Sequence, residues 1–184
     1  MKVYTYNDKV LVNSANDKWL KAAESMPEEV TIGTQTWKTA NLAIDDGQGG
    51  VTIYEQTYNG VTSTNYYYTW AAAQRIVAAN YPGWHIPTST EWNTLISTVG
   101  NNSSGIATLC SDDGSWGEAP ATNTTGMSIK PGRYFDGTTQ QHLATHFIYA
   151  EGDGKVFEYY SNAFHAASDG VPDYNAIRLI KDSN

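Results

Sequence analysis

Apolar residues recur along this chain at two spacings, and each spacing predicts an element. In "TWAAAQRIVAAN" (69–80), Trp70, Ala73, Ile76 and Val77 fall on one face of a 3.6-residue repeat, with Thr69 placed to cap it. In "TSTEWNTLISTVG" (88–100), Trp92, Leu95, Ile96 and Val99 form one stripe. Thr88-x-x-Glu91 there is a capping box and Gly100 a C-terminal stop. Both segments are expected to be helices.

Elsewhere the pattern alternates. "KVYTYNDKVLVN" (2–13) reads as a hairpin around Asn7-Asp8, and "DKWLKAAESM" (17–26) as a short helix that Pro27 stops. "VTIGTQTWKTANL" (30–42) reads as a hairpin around Gly33, and "DDGQGG" (45–50) as a loop. "TIYEQTYNGVTSTNYYYTW" (52–70) alternates only loosely and is expected to give strand fragments and loop. Residues 101–126 read as loop anchored by Trp116. Strands are expected at "GMSIKPG" (126–132), "HLATHFIYAE" (142–151), "KVFEYYSNAF" (155–164) and "NAIRLIKD" (175–182). Helices in the first half and antiparallel strands in the second predict an α+β fold with a curled, mainly antiparallel sheet. The expected division is an appendage at 1–27, for tethering or oligomerisation, and one domain at 28–184.

Composition narrows the function. The 184 residues are 40% hydrophobic and 16% charged, so the surface is built from Thr, Ser, Asn, Gly and Tyr. The net charge of −8, with no Lys/Arg cluster, speaks against nucleic acid and anionic membranes as partners. A single cysteine, Cys110, leaves no internal disulfide. The start lacks the apolar core of a signal peptide and no run reaches membrane-spanning length, so the expectation is synthesis and folding in the cytoplasm.

Candidate chemistry is thin. His142 and His146 lack a third ligand and the Glu of a helical zinc motif, so no metal site is expected from them. The pairs Asp45-Asp46 and Asp112-Asp113 read as turn aspartates; calcium is the weaker alternative, and no cofactor is expected. Cys110 has no neighbouring base, and no serine stands in a nucleophile elbow. "EGDGK" (151–155) reads as a hairpin turn rather than a phosphate loop. His85, in "NYPGWHIPTSTEW" (80–92), is expected to be a buried or half-buried imidazole satisfied by backbone groups. Pro82, Pro87, Trp84 and Trp92 then make that stretch a structural corner. The expectation is a protein that is not an enzyme.

The segments "VTIGTQTWKTANL", "YYYTWAAAQ", "YPGWHIPTSTEWNTLI", "TGMSIKPGRYFDG" and "NAIRLIKD", in this order, resemble the Fibrobacter succinogenes major paralogous domain. That resemblance implies a C-type-lectin-like fold. Family members often pair a cysteine before P-x-G-W-H with one in the last strand; this chain has Tyr81 and Leu179 there, and "HFIYAEG" where members show W-W-S-S. The related formylglycine-generating enzymes act through cysteines and a metal, which a lone Cys110 does not match.

The resemblance also implies a ligand- or receptor-binding role, as in variable proteins of diversity-generating retroelements. Residues 159–177 lack Lys, Glu, Gln, Met and Trp, as mutated AAC codons require, although 93–115 lack them too. The expected binding face uses Tyr159, Ser161, Asn162, His165, Ser168, Asp169, Asp173, Tyr174 and Asn175, residue types that suit adaptable recognition. The expected partner is a cell-surface protein or glycan, met from a phage tail or a displaying cell. The alternative is an assembly module that oligomerises through 1–27.

Overall fold

The computed structural model describes residues 3–6, 9–12, 28–58, 61–113, 116, 121–130, 146–148, 156–160, 163–167 and 174–183. β1 (Val3–Tyr6) and β2 (Lys9–Val12) pair antiparallel with Tyr6 opposite Lys9, giving the first expected hairpin. The helix expected at 17–26 lies outside the described residues. β3 (Glu29–Ile32) and β4 (Gln35–Lys38) form the second hairpin, and Gly33 takes its turn at φ 61°.

β5 (Val51–Tyr58) and β6 (Val61–Tyr68) pair along their whole length, from Val51 opposite Tyr68 to Tyr58 opposite Val61. This corrects the expectation of strand fragments and loop. The dipeptide between the strands, Asn59-Gly60, is a strong two-residue hairpin signal, and it outweighs the poor apolar alternation around it.

α1 (Trp70–Asn80) starts where the Thr69 hydroxyl accepts from the Ala72 amide at 3.3 Å, and it buries Ala72, Ala73, Ile76 and Val77. β7 (Trp84–His85) follows. α2 (Ser89–Val99) carries the expected capping box: Thr88 Oγ1 accepts from the Glu91 amide at 3.2 Å, and Glu91 Oε2 accepts from the Thr88 amide at 2.8 Å. Within the stretch expected to be loop, α3 (Ser103–Ala107) forms behind Asn102, whose Oδ1 accepts from the Ser104 and Gly105 amides at 3.1 Å each. Five residues are too few for a helical repeat to show, but the Asn cap ahead of Ile106 and Ala107 was its signal.

β8 (His146–Ile148), β9 (Val156–Tyr160) and β10 (Ala163–Ala167) make a three-stranded antiparallel sheet in the order β10-β9-β8. The single strand expected over 155–164 is thus two, with Tyr160 opposite Ala163. Within the expected strand at 126–132, of which 126–130 are described, Ile129 forms a parallel bridge to Cys110.

β11 (Ile180–Lys181) lies between β4 and β7 in a four-stranded sheet of order β3-β4-β11-β7, Ile180 facing Trp37 on one side and His85 on the other. Its approach is tied by Lys38 N–H to Leu179 O at 2.9 Å and Leu42 N–H to Ile177 O at 2.8 Å. Alternation along 177–180 sends residues to opposite faces. Ile177 and Leu179 join the α1 cluster with Tyr68, Ile76 and Ile86, whereas Ile180 joins Trp37, Trp92, Leu95, Ile106 and Met127 on the α2 side. The architecture is α+β. Among the described residues, no helix is long and apolar enough to cross a membrane.

Candidate functional site

The expected binding face divides into parts. Tyr159 lies on β9 opposite Phe164, and His165 lies on β10 opposite Glu158. Tyr174 is half-buried. Asn175 corrects the expectation of an exposed contact: it is 3% exposed, and its backbone exchanges bonds of 2.9 and 3.0 Å with that of Tyr68. A buried strand residue held in this way serves the fold. Ser161, Asn162, Ser168, Asp169 and Asp173 lie outside the described residues.

The tryptophan corner is a scaffold with an unexpected polar centre. His85 Nδ1 stands 2.6 Å from Asp182 Oδ1, and Nε2 stands 2.8 and 3.0 Å from the two oxygens of Glu91. The expectation of backbone partners is corrected, since carboxylates hold both ring nitrogens. A ring that makes both bonds at once donates from both nitrogens. Glu91 therefore serves the helix cap and the imidazole together, which locks α2 to β7 and to the residue after β11. Trp92 is fully buried and Trp84 only half, its ring covered by Lys38 Nζ at 4.4 Å from the centroid and Lys181 Nζ at 5.4 Å.

The aspartate pairs act in turns and ion pairs. Asp45 and Asp46 accept from the amides of Gly47 at 2.9 Å and Gln48 at 3.1 Å. Arg75 donates to Asp46 from Nε at 2.7 Å and Nη2 at 2.9 Å; that bond, first among the causes, holds the Asp46 carboxyl down at about 2. Asp113 accepts from Ser111 Oγ at 2.9 Å and pairs with Lys130 at 2.8 Å. Among the described residues, no three His, Cys, Asp or Glu side chains converge as a metal site.

Cys110 is 1% exposed, and burial pushes its thiol up to about 12. Its alkylation by iodoacetamide at about pH 8 is expected to be roughly a thousandfold slower in the native protein than in urea, because the thiolate is the reactive form. Comparable rates by mass spectrometry would show that the site opens.

A cleft of about 370 Å³ opens where residues 39–43, β6, residues 128–130 and residues 176–178 meet. That size lies within the range that holds small ligands. Asn41, Asn65, Tyr66, Ser128, Lys130 and Arg178 line it. Sequence reasoning missed all six. Arg178 is the outlier: it is 1% exposed, and burial lowers its pKa to about 9. Its Nη1 donates to Lys38 O at 3.0 Å and Met127 O at 3.3 Å.

A short antiparallel sheet with a hydrophobic cluster on each face, a cleft beside the closing strand and a corner braced by carboxylates define a small α+β domain. Residues 30–162 match the Fibrobacter succinogenes major domain, and the chain belongs to that family. Neither a curated protein nor a solved structure matches it.

Proposed function

We propose that this protein is a ligand-binding module of C-type-lectin-like fold, displayed on a phage tail or a cell surface, that recognises a glycan or a cell-surface protein without chemical turnover. The observation that carries this reading is the course of residues 174–178. Tyr174, which the sequence assigns to the binding face, is half-buried, and Ala176 and Arg178 just beyond it line the cleft. The proposed recognition surface combines the 159–174 segment, which a diversity-generating retroelement would vary, with the cleft that Ala176 and Arg178 line. Binding rather than catalysis is favoured by the groups themselves. Cys110 is a buried thiol pushed up to about 12, and His85 has both nitrogens engaged by carboxylates.

Alanine substitutions at Tyr66, His165 and Tyr174 test this reading on glycan arrays and whole cells. The expected result is a loss of binding of roughly tenfold or more at one or more positions, with unchanged melting. Undiminished binding by all three folded variants would remove the site.

A second reading is favoured by β1 and β2, which form a two-stranded sheet of their own. A lone hairpin is marginally stable in water and is stabilised by packing against another body, such as a second copy. Deleting 1–27 and measuring mass by light scattering separates the two readings; an unchanged mass excludes assembly through that segment.

A further inference from the structure

We infer that the cleft takes the carboxylate of a sugar acid, with the buried charge of Arg178 selecting the anion and Asn41 reading a hydroxyl. The inference rests on the ligand-binding reading above. Arg178 carries five N–H donors, yet its bonds are the two from Nη1 to backbone carbonyls, and Nε is buried without an acceptor. Among the described residues no carboxylate pairs with it. Burying a guanidinium without a counter-charge is costly, and proteins ordinarily avoid it. The uncompensated charge sits behind low-dielectric walls, which focus a positive potential into the cleft. Lys130, paired with Asp113 at 2.8 Å, lines the same cleft, and no described lining residue is acidic.

Asn41 adds the opposite shortfall. Its Oδ1 is a buried acceptor without a donor, in a residue that lines the same space. A ligand that completes both groups offers an anionic acceptor and a hydroxyl donor. The enclosure suits a small ligand rather than a flat protein surface, and Tyr66 with Asn65 and Ser128 supplies the ring and small polar groups that a polyhydroxylated ring meets.

The test uses the full chain, followed by amide NMR during titration with D-glucuronate, D-glucose, acetate and a Glu-containing tripeptide. Glucuronate is expected to shift the Asn41, Asn65, Tyr66 and Arg178 signals and to bind roughly tenfold or more tighter than the other three. Asn41→Ala, which loses no internal bond, is expected to weaken glucuronate binding severalfold with unchanged melting. Arg178→Lys, where it folds, is expected to weaken it further. Equal affinity for glucose overturns the role of charge, equal affinity for acetate overturns the sugar, and tighter peptide binding replaces it with an acidic peptide. If no probe moves the cleft signals while glycan or cell binding persists, the inference falls and the ligand-binding reading stands. If the full chain binds no glycan, cell or probe at all, both fall.

Discussion

Trp92→Ala is expected to cost about 3–5 kcal/mol and to lower the melting temperature by roughly 10 °C. Trp92 is fully buried, with its ring centroid 4.8 Å from that of Trp37 at a 42° tilt, and it packs in the cluster that contains Leu95, Ile106 and Ile180. Truncation removes a contact that joins α2 to the four-stranded sheet and leaves a void whose walls come from three elements, so collapse cannot refill it cheaply. Trp84→Ala is the control. Its half-buried ring lies under two lysines, and its loss is expected to cost a fraction as much. Calorimetry of both variants checks the order; equal losses would mean that the core is not centred on the Trp37–Trp92 pair.

Gly105→Ala is expected to be as damaging, at roughly 3 kcal/mol or more, although it adds a single methyl group. A Cβ at Gly105 would overlap the backbone carbonyl oxygens of Gly100 and Val99. Those atoms belong to the end of α2 and cannot move aside by a rotamer change, so α3 must separate from α2. Ile106, fully buried on the next position, would be pulled from the core with it. Denaturant melts measure the loss. Wild-type stability in Gly105→Ala would mean that the two helices do not pack at this distance.

Much of the fold was legible wherever a local rule acts alone. Thr69, Thr88 and Glu91 announce their helix starts through hydrogen bonds that need only neighbours in sequence, and Gly33 marks its turn by backbone freedom. The Asn59-Gly60 signal was present too, but weak apolar alternation in the Tyr- and Thr-rich flanks masked it. What local rules do not carry is partnership across the chain. His85 meets Asp182 at a separation of 97 residues, and nothing near His85 announces that carboxylate. Polar residue types in sequence predict exposure, and by that rule Asn175 belongs to the expected binding face. The pairing of Asn175 with Tyr68 depends on where the last segment is threaded. Arg178 was hidden for the opposite reason: within "AIRLI" its neighbours read as a buried strand, and the strand pattern absorbed a charge that the same pattern should have flagged as out of place.

The position of β11 also sets when this protein can finish folding. Its neighbour β4 is separated from it by nearly the whole domain, with Arg178 bonded to Lys38 across 140 positions, and β7 by a long stretch as well, with Asp182 meeting His85 across 97. On the ribosome, β4 and β7 emerge with the slot between them empty, each exposing unpaired strand edge until residue 181 clears the exit. Such long-range closure slows folding and lengthens the exposure of sticky intermediates, so a chain truncated before residue 174 should yield aggregate or proteolytic fragments rather than a smaller folded core.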